Sequence, residues 1–375
     1  MKVRLDSICE LNMGQSPNSS SYNEKGNGLP FFQGNADFGV LNPTARIWCD
    51  APTKIAKNGD ILISVRAPIG ALNIADCECC IGRGLAALSV KEDLCRKQYL
   101  WYALASKVDE LNSKGTGSTF KAISKGVLAE TELHLPPLEK QDNISCELDL
   151  LTQLISLRKQ QLAKLDEMVK SRFVEMFGDP VSNPHRYPKV PLSELAEIKI
   201  GPFGSLLHKE DYIANGHALI NPAHIVDGKT SINTNLSVSD EKFSELSAYH
   251  LQIGDVVMGR RGEMGRCAVV HTDGLLCGTG SLLIRTKGDV TADYLQKIIS
   301  FPSFKKTIED MAVGQTMPNL NVPIVSRFQI IKPPIEVQEA YYTFVKQTDK
   351  TKQTIQQSLD KLETLKKALM QKYFG

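Results

Sequence analysis

The sequence predicts an α+β protein built as two pseudo-repeated mixed α/β domains separated by two long antiparallel helices that form a coiled coil. Three observations predict it. The chain repeats itself collinearly, each copy alternates short glycine-punctuated strand runs with helical stretches, and each copy closes on a 44-residue segment of the same character.

Internal self-similarity is the first pattern to seek, because it decides the architecture before any motif does. Residues 135–178 and 332–375 align without a gap at an offset of 197. Pro136-Pro137 matches Pro333-Pro334, Glu139 and Gln141 match Glu336 and Gln338, and Phe177-Gly178 matches Phe374-Gly375. Upstream, Gly59-Asp60, Arg66 and Gly70 match Gly254-Asp255, Arg261 and Gly265 at an offset of 195. Gly82 and Gly84 match Gly278 and Gly280, while Val3, Leu5, Glu10 and Gly14 match Val190, Leu192, Glu197 and Gly201. The domains expected are 1–137 and 188–334. The helices are 138–178 and 335–375, with a linker at 179–187.

Within each domain, Asn58-Gly-Asp-Ile-Leu-Ile-Ser-Val65 reads as a turn entering a strand, since glycine permits the turn and β-branched residues follow. Gln252-Ile-Gly-Asp-Val-Val-Met258 repeats it. Strand runs are expected at 71–75, 85–90, 267–271 and 281–285, and helices at 97–112 and 292–311.

After each Pro-Pro pair the pattern changes. Proline biases its predecessor away from helix, so the pair marks a boundary and a start. The first copy then places Ile144, Leu148, Leu151, Ile155, Arg158, Leu162, Leu165 and Val169 at alternating steps of four and three, an a/d seam free of Gly and Pro. The second places Tyr341, Val345, Thr348, Lys352, Ile355, Leu359 and Leu362 likewise, with polar interruptions. Each helix should run about 55–60 Å, and the stripe of one is the natural partner of the other.

Composition narrows the function. With 44 Lys+Arg against 42 Asp+Glu, the net charge is +2, so a polyanion surface would have to be local. No apolar run approaches the roughly 20 residues that span a bilayer, and the start lacks a signal-peptide pattern, which makes cytoplasm the expected location. Nine cysteines at irregular spacing read as reduced thiols, and Cys77, Cys79 and Cys80 lack zinc spacing. No Walker A loop occurs, and both Pro-Pro pairs lack the flanks of an adenine amino-methyltransferase motif. No catalytic residue, metal or cofactor is expected in this chain.

Two variable domains, each followed by a long helix opening with a phrase like Leu135-Pro-Pro-Leu-Glu-Lys-Gln141, together with Met176-Phe-Gly-Asp-Pro180, resemble the specificity subunit of type I restriction–modification enzymes. The second opening departs to Lys332-Pro-Pro-Ile-Glu-Val-Gln338, and Lys140 stands where an acidic residue is common in the family. The resemblance implies two target-recognition domains, each reading half of a bipartite double-stranded DNA sequence. It also implies helices that space them and dock methyltransferase subunits, two in number. The partners carry the S-adenosylmethionine chemistry on adenine, and a restriction subunit can join. The half-sites should lie about 34–36 Å apart.

Base edges are read by Arg or Lys on guanine and Asn or Gln on adenine, with hydroxyls and lysines on phosphates. Three loop groups supply such residues at repeat-matched points. The first group is Lys114, Thr116, Ser118, Thr119 and Lys121, matched by Gln315, Thr316 and Asn319. The second is Arg66 with Arg260 and Arg261, and the third is Gln15, Ser16 and Asn18 with Ser205. An ordinary surface loop is the competing reading of each. Two other functions stay open at this point: the recognition subunit of a related system with fused nuclease–methyltransferase partners, and a coiled-coil scaffold for proteins.

Overall fold

The computed structural model describes residues 1–117, 121–314 and 319–375. The chain divides into two compact units, Met1–Gln161 with Ile355–Gly375, and Leu162–Thr354. Each unit therefore holds one α/β domain, the near half of its own long helix and the far end of the other one.

The first unit is centred on a four-stranded antiparallel sheet in the order Cys9–Met13, Leu85–Val90, Ile61–Ser64 and Leu72–Ile74. Side chains alternate faces along a strand, and both faces here are covered. Ile61, Ile63, Ala86 and Leu88 pack with Tyr99, Leu100 and Leu104 of helix Lys97–Ala105. Leu62, Leu85 and Ala87 face the other way, onto Phe32, Ala56, Cys79 and Ile81. Double coverage is why the two central strands, Ile61–Ser64 and Leu85–Val90, are mainly apolar rather than alternating, whereas the edge strand Cys9–Met13 carries Glu10 and Asn12. The second layer has the strand order Tyr22–Asn23, Trp48–Cys49, Leu29–Phe32, Cys79–Ile81 and Ile55–Ala56, with its central pair parallel.

The second unit repeats this plan. Ala196–Ile200, Ser281–Thr286, Val256–Gly259 and Cys267–Val269 form the main sheet in the same order. Val256, Met258, Leu282 and Ile284 face one core, while Val257 and Leu283 face the other. The second layer follows the order Ser237–Val238, His217–Ile220, Leu275–Cys277 and His250–Leu251, again with a parallel pair. Among the described residues, the outer strand that Tyr22–Asn23 adds to the first unit has an isolated bridge, Ile213 to Ser237, in its place.

The helices expected at 97–112 and 292–311 are each split, into Lys97–Ala105 and Val108–Ser113, and into Ala292–Ile299 and Pro302–Met311. In the second pair the cause is Pro302, which is tolerated in a first helical turn but disfavours helix in the residue before it.

The long helices run Leu138–Phe177 and Ile335–Phe374, 40 residues each. In the first, Ile144, Leu148 and Leu151 are buried, and Ile155, Arg158, Leu162, Leu165 and Val169 are half-buried between exposed neighbours. In the second, Tyr341, Thr348 and Leu359 are buried, and Val345, Lys352, Ile355 and Leu362 half-buried. Within the first unit Tyr373 Oη donates to Glu147 at 2.6 Å, and Lys159 meets Glu363 at 2.8 Å, so the helices run antiparallel. Within the second, Lys352 meets Asp166 at 2.5 Å and Tyr341 Oη donates to the Val169 carbonyl at 3.3 Å.

The glutamine shared by both helix openings is a clamp. Gln141 accepts a hydrogen bond from the Arg96 N–H at 2.8 Å and donates to the Pro136 and Leu94 carbonyls. Gln338 accepts from the Thr291 N–H at 2.9 Å and donates to the Pro333 and Asp289 carbonyls. Both are fully buried, so each ties a helix start to its domain through backbone groups that would otherwise lack partners.

Candidate nucleic-acid interface

Each Gly-Asp turn that precedes a central strand is structural. Asp60 accepts from the Lys57 N–H and the Ser89 hydroxyl, and Asp255 from the Gln252 N–H and the Arg285 guanidinium. Beyond the strand the chain emerges as the loop that carries Arg66 or Arg261. Gly70 has φ of 92° and Gly265 of 72°, a region that favours glycine. A Cβ on Gly70 would also lie 3.1 Å from Val108, and one on Gly265 2.8 Å from Lys305.

In the first domain this loop pairs with a second one. Ala67 N–H donates to the Lys121 carbonyl and Ile123 N–H to the Val65 carbonyl, both at 2.9 Å, while Ala122 and Thr116 exchange two backbone bonds. Arg66, Thr116 and Lys121, all exposed, thus ride one narrow ribbon of three segments. The second domain builds the same ribbon: Leu320 N–H donates to the Arg260 carbonyl, and Asn319 and Val313 exchange two bonds. Arg260 is turned into it, its Nε donating to Asn319 Oδ1 at 3.1 Å. Burial and then the charge of Arg261 lower its pKa from the usual guanidinium value. Arg261 is left exposed. Ser118, Thr119, Gln315 and Thr316 lie outside the described residues.

The remaining candidates sit as follows. Gln15 is exposed, with its N–H on the Ile81 carbonyl and its carbonyl held by the Thr53 hydroxyl. Ser16 Oγ accepts from the Arg83 N–H at 3.3 Å. The Asn18 side chain is occupied in capping the turn Ser19–Ser21, and Ser205 is exposed on the turn Gly204–Leu206. Lys114 does not join the ribbon's cleft. It pairs with Glu110 at 2.6 Å, one helical turn back, and lines a separate groove of about 710 Å³ with Lys2, Lys140 and Lys372. Hydrogen bonds from Lys114 and Lys107 hold the Glu110 carboxyl below its ordinary range.

The first domain opens beside its ribbon into a cleft of about 600 Å³, lined by Gln33, Asn35, Arg46, Arg66 and Arg83 among others. Arg46 is committed to Asp37 and to the Ala36 carbonyl. Arg66 and Arg83 are exposed and have no side-chain hydrogen bond among the described residues. Two guanidiniums and two amides around one opening can donate to guanine, bond adenine edges and contact phosphate. Sequence reasoning missed Arg83, Gln33 and Asn35. The available signal was the pair of repeat-matched glycines, Gly82 and Gly84, that frame Arg83. Among the described residues no cluster of three or more His, Cys, Asp or Glu is placed to hold a metal.

Duplicated α+β domains with repeated basic ribbons, closed by paired antiparallel helices, define the class of protein. The family profile described as type I restriction modification DNA specificity domain matches residues 1–167 and 184–364, and the chain belongs to that family. It is 40% identical over 158 residues to a chain of Methanocaldococcus jannaschii named for the type I restriction enzyme MjaX specificity subunit, covering 42% of this chain and 37% of that one. The chain thus spans well under half of that relative. It is 21% identical to the MjaVIII specificity subunit of the same organism, over 76% of this chain and 71% of that one. In fold it is similar to the crystal structure of a type I restriction-modification S subunit from M. genitalium, with a TM-score of 0.58 at 16% identity, over 100% and 96% of the two chains.

Proposed function

We propose that this chain is a non-catalytic subunit that reads an asymmetric, bipartite DNA sequence, one half per domain, and directs adenine-methylating partner subunits to it. Two methyltransferase subunits dock on one such chain, S-adenosylmethionine is bound by them, and a restriction subunit joins as a further partner in the cytoplasm. The observation that carries this reading is the repeated ribbon. The same backbone bonds present Arg66 in one domain and Arg261 in the other, while the side chains around them differ. A duplicated mount with divergent contacts is what reading two unlike half-sites requires. Reduced cysteines and the absence of a resident cofactor belong to the same proposal.

The test is co-expression with the partner methyltransferase in a methylation-free host, followed by single-molecule methylome sequencing. One asymmetric two-part motif is expected, altered in one half by Arg66→Ala and in the other by Arg261→Ala. A methylome with no motif, or both halves altered by either variant, defeats the proposal.

A further inference from the structure

The Gly82-Arg83-Gly84 turn of the first domain and the Gly278-Thr279-Gly280 turn of the second are crossing points where three segments meet. Gly82 N–H donates to the Phe32 carbonyl, Gly84 N–H to the Gln33 carbonyl, and the Gly84 carbonyl accepts from the Val65 N–H at 2.9 Å. In the second domain Gly278 N–H donates to the Ile220 carbonyl, and the Gly280 carbonyl accepts from the Arg260 N–H at 3.0 Å. The third segment presses from the side of Gly14 and Gly201. A Cβ on Gly14 would lie 2.1 Å from the Gly82 carbonyl oxygen, and one on Gly201 2.0 Å from that of Gly278. The flanking glycines are confined as well: a Cβ on Gly84 would fall 2.4 Å from the Gln33 carbonyl oxygen, and one on Gly278 2.9 Å from the Ile220 carbonyl oxygen.

The turn backbone is therefore the same rigid mount in both halves, next to the arginine ribbon in each, and only its central side chain is free to differ. Arg83 projects into the cleft that Arg66 and Gln33 also line. Thr279, also exposed, instead commits its hydroxyl to the Pro202 carbonyl at 2.8 Å, so the group it has left to offer a ligand is its methyl. A planar guanidinium on a fixed mount matches the O6 and N7 acceptors of guanine, whereas a threonine methyl suits an apolar contact such as the thymine methyl. A pre-ordered backbone also reduces the ordering cost of binding.

We infer that the residue at the centre of this turn sets a base preference in the half-site each domain reads, and that Arg83 reads a guanine in the first. This inference rests on the DNA-reading function proposed above and names the side chain that distinguishes the two halves.

The test uses the full chain with its methyltransferase partner, comparing Arg83→Ala and Arg83→Lys by methylome sequencing. In both variants one guanine-bearing position of a single half-site is expected to relax, with discrimination there falling about ten- to hundredfold. The other half-site and the gap are expected to stay unchanged. Lysine keeps the charge but not the fork, so it separates base reading from phosphate contact. If Arg83→Lys keeps wild-type discrimination while Arg83→Ala lowers methylation evenly at all sites, Arg83 is a phosphate contact and the inference fails. An unaltered motif in both variants, or simultaneous loss of both half-sites, also overturns it. A wild-type methylome without any motif brings down the proposed function itself, which is a distinguishable result.

Discussion

The ring of Phe177 packs edge-on against Tyr294 with centroids 5.0 Å apart. Phe177 ends the helix that begins in the first unit, and Tyr294 sits in the core of the second domain, where its hydroxyl donates to the Ile331 carbonyl. The repeat reproduces the pair: Phe374 lies 5.3 Å from Tyr99, whose hydroxyl donates to the His134 carbonyl. Each domain core is thus completed by the end of the helix that starts in the other unit.

Phe177 is fully buried, whereas Phe374 is only half-buried. Phe177→Ala is expected to cost about 3–5 kcal/mol and Phe374→Ala about 1–3 kcal/mol. Urea denaturation followed by tryptophan fluorescence and circular dichroism measures both. Equal, surface-like losses from the two variants would refute the exchanged-core description.

The glutamine clamps predict a second pattern. Gln141→Ala or Gln338→Ala leaves a buried N–H and two carbonyls without their partner, at a cost of about 1–3 kcal/mol each. Because these groups tie helix to domain, amide hydrogen exchange at Arg96 or Thr291 should rise by far more than exchange mid-sheet. Unchanged protection at those two amides would contradict the clamp.

Glu263 gives the pH dependence a definite sign. Hydrogen bonds from Arg266 and Lys305 lower its pKa from 4.5 to about 2. A carboxylate depressed in the folded state stabilises above its unfolded pKa and loses that contribution as pH falls through the folded value. The contribution is therefore present above pH 4.5 and lost towards pH 2. The group is half exposed to solvent, so Glu263→Gln should cost no more than about 1 kcal/mol at neutral pH. It should also flatten the acid limb of a stability–pH profile. An acid limb of unchanged slope would remove Glu263 as its source.

The helix seam predicts a spacing effect. Inserting one heptad into each long helix keeps the a/d register and adds about 10 Å of helix. In methylome sequencing the gap between half-sites should change while both half-site sequences persist. Altered half-sites with an unchanged gap would show that the helices do not set the spacing.

Much of this protein is legible in its sequence because the decisive signals are periodic or local. The offset of 197 exposes the duplication, the Pro-Pro pairs mark the helix starts, and the steps of four and three mark the stripe that is buried or half-buried along each helix. The candidate site was only partly legible. Arg66 and Arg261 stood out as repeated residues, yet a repeat match cannot show where a side chain points. Lys114 is drawn to Glu110, Asn18 caps its own turn and Arg260 binds Asn319.

By itself, the sequence determined the α+β class, the two-copy organisation and the helical seam, since each follows from the spacing of residues along one stretch of chain. Only the tertiary structure decided which helix end fills which core and that Arg83 shares a cleft with Arg66. Those outcomes join residues far apart in the chain, such as Phe374 and Tyr99, through packing and backbone hydrogen bonds. No local pattern encodes such pairings, because close packing is a property of the assembled core rather than of any segment.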